Sequence, residues 1–266
     1  MAWRSLAEWQ AESENVLASQ HQSIGTDEPW WVGKCILCQC EVRFASGANL
    51  REGMRCHVCG CNARQRAAAA VLLAELEQQP LAQAYATEQA SPFYVALRRH
   101  LPRLRGSEYL HSWRRRLRKS CWLWRKRVYT WIRHGDMTAL RADDASLDAI
   151  ISLDVLEHVP DHRAALRECA RVLKPGGVFV LTVPFHDREA VNQQIARLRE
   201  DGSIEHVGEP EYHGDPLSGG VLCFHRFGWS LLDDLRHSGF SEVDACRLRH
   251  PEAGLPEGVW VLRARR

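Results

Sequence analysis

The chain has 266 residues, of which 45% are apolar and 26% charged, and its net charge is +2. These are the values of a folded globular protein of one or two domains, and they exclude a disordered or collagen-like chain. No apolar run approaches the roughly 18 residues of a membrane span, which excludes a membrane-embedded fold. The charge is uneven. Residues 98–133 hold 13 Lys and Arg against one acid, Glu108, so a basic, Trp-rich belt crosses an otherwise mildly acidic protein. The opening MAWRSLAEWQAESEN is polar and lacks the apolar core of a signal peptide, so a cytoplasmic location is expected.

Residues 1–30 read as a short amphipathic helix over about 2–19, with Trp3, Leu6, Trp9, Val16 and Leu17 near helical spacing, then a polar connector. Residues 31–80 form a cysteine module with an exit helix. Six of the ten cysteines fall between Cys35 and Cys61, and clustered thiols in a reducing compartment are metal ligands more often than bridges. The spacing is Cys35-x2-Cys38, then 17 residues, then Cys56-x2-Cys59. Two such tight turns can aim four thiolates at one ion, the donor set of a structural Zn²⁺ with no open position for catalysis. The loop 46–49 and Gly60 suit that architecture; reduced buried thiols are the alternative. Cys40 and Cys61, each two residues past a knuckle, read as bystanders rather than exchangeable ligands. From residue 62, NARQRAAAAVLLAELEQQ is rich in helix formers and stops before Pro80.

Residues 81–184 alternate strand-like runs (QAYAT, SEYL, VYTWI, DAIISL, GVFVLTVP) with helical ones (SPFYVALRRHL, DHRAALRECARVL). Such alternation predicts a parallel sheet with right-handed crossovers. Residues 185–266 read as a helix over 188–200 and a Gly/His/Pro-rich loop. A second helix over 229–238 and two strands, near 242–248 and 259–264, complete the chain.

Residues 148–185 read DAIISLDVLEHVPDHRAALRECARVLKPGGVFVLTVPF. The D-x-L-E-H segment followed by the L-K-P-G-G turn resembles the class I S-adenosylmethionine-dependent methyltransferases of the small-molecule group. The resemblance covers about 81–266, and the cysteine module resembles that of a bacterial subgroup of these enzymes. It implies a doubly wound, mostly parallel α/β sheet of seven strands ending in an antiparallel hairpin, behind a small N-terminal zinc-knuckle module. Asp154 ends an apolar strand, and ligands of open α/β sheets bind beyond such ends. The resemblance further implies that Glu108 takes the cofactor ribose hydroxyls, a task suited to a two-oxygen acceptor; an ion pair with nearby arginines is the alternative. It sets Asp136 and Met137 against the adenine, where the alternative for Asp136 is a helix cap or turn. The chain departs from the family at the first loop, where AYATEQASPFY stands for a glycine-rich segment. There Thr87, Glu88, Gln89 and Ser91 offer polar contacts and small Ala90 allows close approach, with Glu88 and Ala90 the expected contacts to S-adenosylmethionine.

Methyl transfer is an in-line displacement in which the protein mainly positions the acceptor. A general base helps when the acceptor is a hydroxyl or an amine, and His is the usual choice near neutral pH. The candidates are His158 in LEHVP, His186 after Pro184-Phe185, and His213 within the polar set Glu211, Tyr212, His213 and Asp215. Packing is the alternative for His158; for His213 the alternatives are a loop-holding or acceptor-binding role, or a second metal site. The expected reaction is O-methylation of a small molecule or saccharide precursor. An RNA or protein methyltransferase is the second reading, and a fold that has lost its cofactor site is the third. The belt at 111–131 suits stacking and phosphate contact with nucleic acid, an anionic surface, or packing of an inserted helix on the core.

Overall fold

The computed structural model describes residues 1–21, 30–45, 49–214 and 220–266. The chain opens with strand β1 (Ala2–Trp3) and helix α1 (Leu6–His21). Antiparallel β2 (Trp30–Lys34), β3 (Glu41–Ala45) and β4 (Arg55–Cys56) carry the cysteine knuckles, and α2 (Ala63–Glu75) leaves them. Then come β5 (Ala84–Ala86), α3 (Pro92–Leu97), β6 (Arg105–Gly106), α4 (Trp113–Arg125), β7 (Leu147–Leu153), α5 (His162–Val172) and β8 (Leu173–Thr182). A run of short strands follows: β9 (Gln193–Gln194), β10 (Ala196–Leu198), β11 (Ile204–His206), β12 (Tyr212–His213), β13 (Val221–Leu222) and β14 (His225–Arg226). Helix α6 (Ser230–His237) and strands β15 (Glu242–His250) and β16 (Leu255–Arg265) finish the fold.

Seven strands form the main sheet in the order β1-β15-β16-β8-β7-β5-β6. The four from β8 to β6 run parallel, while β16, β15 and β1 are antiparallel to their neighbours. The apolar run LDAIISL makes β7 a strand buried on both faces. Its alternate residues feed two cores. Ala149, Ile151 and Leu153 pack with α2, α3 and the cysteine module; Ile150 packs with α5, α6, Trp3 and Trp9. This two-sided covering is the doubly wound architecture.

Local signals start the helices where they do. Asn62 and Gln65 form a reciprocal capping box on α2, Ser91 caps α3 ahead of Pro92, and Asp161 accepts the Ala164 N–H of α5. The L-K-P-G-G segment opens β8 directly after α5, with Gly176 at φ 77°. There the left-handed backbone favours glycine.

Three expectations are corrected. Residues 128–134 form no strand; only His134 bridges, in parallel, to Glu108, and the seventh strand is instead Ala2–Trp3 at the opposite edge. Residues 188–200 are not helical. Gln193–Gln194 pairs with His225–Arg226, and Ile195 and Ala196 are buried beneath the same segment, so strand pairing overrides the helix-favouring composition. The N-terminal helix begins at Leu6 rather than at residue 2, because β1 pairs with Cys246 and Ala245 first. Trp3 and Trp9 then lock edge-to-face on Trp260, with ring centroids 5.5 and 5.0 Å away.

Candidate active site

The two cysteine knuckles share one hydrogen-bond pattern. The Cys35 and Cys56 N–H groups donate to the Cys40 and Cys61 carbonyls at 3.0 Å each, and the Gln39 and Gly60 N–H groups donate back to Cys35 and Cys56 at 2.8 Å each. The turn closes through left-handed Gln39 (φ 58°) and Gly60 (φ 75°). The Sγ atoms of Cys35, Cys38, Cys56 and Cys59 converge within 4.8 Å of one another, with Cys35–Cys59 at 3.8 Å and Cys38–Cys56 at 3.7 Å. Tetrahedral Zn–S bonds of about 2.3 Å require S···S edges of about 3.8 Å, so the donor set fits zinc. Cys40 and Cys61 stay outside it, each directing its thiol to the carbonyl of the residue two before it. Of the loop expected between the knuckles, residues 46–48 lie outside the described residues.

Beside this cluster lies Arg66, fully buried. Its guanidinium donates to the carbonyls of Met54 (2.6 Å), Cys61 (2.7 Å) and Gly254 (2.8 Å) and stacks on Phe44. No carboxylate pairs with it among the described residues. A buried cation needs a compensating charge, and a metal held by four thiolates, net dianionic, supplies one.

The module also reaches the sheet's ligand-binding edge. Asp154 follows β7 with a left-handed backbone, φ 50°, a conformation Asp tolerates better than most residues but still at some cost. Arg51 grips its carboxylate with two bonds, at 2.8 and 2.7 Å, and Arg64 Nε stands 3.1 Å away. Thr182 adds a hydroxyl donor at 2.8 Å. Burial opposes ionisation of Asp154, but the Arg51 and Arg64 guanidiniums outweigh it and hold the carboxyl below the usual range. Glu52 bridges the same two arginines.

The first loop is built around Glu108. Its Oε1 accepts the backbone N–H of Gln89 at 2.8 Å and of Ala90 at 2.5 Å. Gln89, itself buried, donates to the Trp131 carbonyl and accepts the Arg133 N–H. An acid and an amide thus hold the loop that glycines would otherwise shape. Gly106 lets it close: a Cβ there would stand 2.9 Å from the Glu88 carbonyl. The Glu88 carboxyl has a buried Oε1 without a partner among the described residues. Burial pushes Glu88 up to about 7, against a hydrogen bond from Ser91 and the charge of Arg64. Glu88, Ala90, Glu108 and Asp154 therefore gather at one edge. Asp136 follows the edge bridge, but its Oδ1 already accepts the Thr138 N–H and hydroxyl at 2.8 and 2.7 Å, a turn-forming role. Met137 is buried in the α5-side core and approaches Ser152.

The three candidate histidines all line one cleft of about 860 Å³. Its walls are Arg51, Arg55 and Arg64 from the module, Asp154 and Phe185 from the segments that follow β7 and β8, and Trp260 from β16. His213 Nε2 donates to Glu211 Oε1, 2.9 Å away, and Nδ1 lies 3.8 Å from Glu157. Glu157 raises the His213 pKa, against burial, and Glu211 adds to the rise. His158 is held through Nδ1 by the Leu222 carbonyl at 2.9 Å. His186 lines the cleft without a side-chain bond among the described residues. Asp215 lies outside the described residues. Sequence reasoning missed Arg51, Arg55 and Arg64. Nothing in their spacing marks them, because they reach the site only through the packing of α2 and the knuckles on the sheet.

Residues 59–181 match the family described as "Methyltransferase domain". A protein named "Probable S-adenosylmethionine-dependent methyltransferase" from Mycolicibacterium smegmatis is 35% identical over 123 residues, 41% of this chain and 43% of that protein. A ubiquinone biosynthesis O-methyltransferase from Xanthomonas oryzae is 54% identical over 37 residues, 14% of this chain and 16% of that protein. The chain spans less than half the length of these curated relatives. Among solved structures, the [4+2]-cyclase SpnF superposes with a TM-score of 0.52 at 15% identity, covering 100% of this chain and 97% of that one, a likeness of fold alone. No helix among the described residues is long and apolar enough to cross a membrane. Sheet order, family match and relatives agree that this chain has the methyltransferase Rossmann-like α/β fold, with a methyltransferase domain matched over residues 59–181.

Proposed function

We propose that the chain transfers a methyl group from S-adenosylmethionine to a small molecule or saccharide precursor, at oxygen. The observation that carries this is the cleft beyond the carboxyl ends of β7 and β8, where Asp154 meets cationic and histidine side chains. Open α/β sheets bind ligands at that edge. The cofactor contacts are assigned to Glu88, Ala90, Glu108, Asp136, Met137 and Asp154. S-adenosylmethionine supplies an electrophilic methyl and a neutral leaving group, so the protein has to orient the acceptor and exclude water. On the acceptor side stand His158, His186 and His213. The rings of His213 and His158 are engaged by carboxylates and a carbonyl, which favours His186 as the group that takes the acceptor's proton. Arg55, without an ion pair among the described residues, suits a phosphate or carboxylate on the acceptor. A Zn²⁺ held by Cys35, Cys38, Cys56 and Cys59 would be structural, stabilising the face that carries Arg51 and Arg64. The cytoplasm, where the thiols stay reduced, suits it.

One observation favours a second reading, a methyltransferase-type fold that binds ligands without the cofactor. One Glu108 oxygen is already occupied by two backbone donors, leaving less of the carboxylate for a ribose. Calorimetric titration of the zinc-replete protein with S-adenosylmethionine and its demethylated product separates the two. Micromolar binding that is lost in Glu108→Ala supports the enzyme. No binding up to millimolar concentration, with the protein folded, overturns it in favour of the second reading. An RNA or protein acceptor remains the further alternative, drawing on the exposed arginines of α4, and a steep salt dependence of RNA affinity would favour it.

A further inference from the structure

A second cluster of donors lies beside the cleft, apart from the four cysteines. One ring nitrogen each of His158 and His213 and the Sγ of Cys223 fall within 4.8 Å of one another. Beside the two histidines sits Glu157, 1% exposed, with neither carboxylate oxygen hydrogen-bonded by any described residue. Burying an ionisable carboxyl without partners is costly, so its position calls for a counterpart. Both inward ring nitrogens face it: His158 Nε2 and His213 Nδ1 each stand 3.8 Å from Glu157 Oε1.

The outer nitrogens are already held. His158 Nδ1 faces the Leu222 carbonyl at 2.9 Å and also stands 3.8 Å from Cys223 Sγ, while His213 Nε2 donates to Glu211 at 2.9 Å, with Glu211 in turn fixed by Arg226 at 2.6 Å. Metal-bound histidines characteristically donate the second ring N–H to a carbonyl or a carboxylate, which fixes the tautomer and the ring plane. Bonds of about 2.1 Å to nitrogen and oxygen across such a gap open an angle of about 130°, within reach of a distorted tetrahedron. The backbone sets the site from two sides. Strand β12 pairs His213 with Val221, and the Phe224 N–H donates to the Glu157 carbonyl at 2.7 Å, which fixes Cys223 against the turn that carries Glu157 and His158.

We propose that Glu157, His158, His213 and Cys223 bind a divalent transition cation of the zinc class, a second metal site independent of the four-cysteine centre. Two nitrogens, a thiolate and a carboxylate select a borderline-soft ion over Mg²⁺ or Ca²⁺. Because His158 and His213 line the cleft, the ion would lie at the wall where an acceptor oxygen enters.

The test is the number of metal equivalents per chain in the full-length protein, measured by elemental analysis after loading with Zn²⁺ alone or Co²⁺ alone and desalting. Two equivalents are expected in the wild type. The His213→Ala/Cys223→Ser double variant should keep one, and with Co²⁺ it should retain the intense thiolate absorption of the four-cysteine centre, which also reports that it is folded. The near-isosteric Glu157→Gln should weaken the second equivalent at least tenfold without touching the first. One equivalent in the wild type, or a second that persists unchanged in the double variant, overturns the proposal.

Discussion

The cysteine centre and the crevice beyond β5 and β7 are built on opposite plans. In the first, two short turns with the same hydrogen bonds bring four sulfurs to a common point, and each turn is complete within six residues. In the second, Arg51, Arg64, Glu88, Glu108 and Asp154 come from five separate stretches and meet only because α2, the knuckles and the sheet pack together. The contrast teaches which site tolerates change. A local site fails when a ligand is lost; an assembled one fails when any of its supports moves.

The largest effect is expected at the local site. Removing the metal with a chelator, or Cys56→Ser, should forfeit folding free energy of the order of the roughly 10 kcal/mol seen for structural zinc. The knuckles share one core with the sheet, so thermal unfolding of the whole chain should shift to lower temperature. An unchanged melting curve would mean that the four sulfurs are ordinary thiols. Next comes Arg66→Met, which strands the buried carbonyls of Met54 and Gly254 and takes one of two donors from that of Cys61. At about 1–3 kcal/mol for each unsatisfied group, a loss of about 3 kcal/mol or more should appear in the urea midpoint.

At the assembled site, Asp154→Asn removes the charge and one of the two acceptor oxygens that join two arginines, a loss of about 2–3 kcal/mol by the usual value of charged hydrogen bonds. The folded pKa of Asp154 is depressed, so its contribution is present above the ordinary carboxylate pKa and disappears as pH falls through the folded value. The wild type and Asp154→Asn should therefore converge in stability under acid and diverge at neutral pH. Glu88 carries the opposite sign. Its pKa is raised to about 7 from 4.5, so the folded state gains stability below the unfolded pKa and loses it as pH rises through 7. Glu88→Gln should flatten that slope in a pH series of urea titrations, and an unaltered slope would show that the carboxyl reaches water. The smallest effect belongs to neither site. Arg114, Arg115 and Arg118 are exposed on α4, and changing all three to Ala should leave stability within about 0.5 kcal/mol. If α4 grips RNA, the same variant lowers the salt slope of binding by about 2; if not, RNA affinity is unmoved.

The sequence determined what repeats over short distances. Cysteine spacing predicts the four-sulfur centre because a Cys-x2-Cys turn leaves the chain few ways to run. The apolar run at 147–153 predicts a buried parallel strand because only a doubly covered sheet can take it. The caps at Asn62, Ser91 and Asp161 predict helix starts for the same local reason. Tertiary structure decided the rest. Residues 128–134 have strand-like composition, yet the seventh place in the sheet goes to Ala2–Trp3, whose tryptophan is buried against Trp260. Residues 188–200 have helical composition, yet they pair with His225–Arg226. Asp136 follows the edge bridge, and the structure adds a turn on Thr138 that its Oδ1 closes. The arginines at Asp154 carry no local signature, since an ion pair across about a hundred residues depends on where two elements dock, and docking is settled by the shape and burial of whole faces rather than by neighbours in the chain.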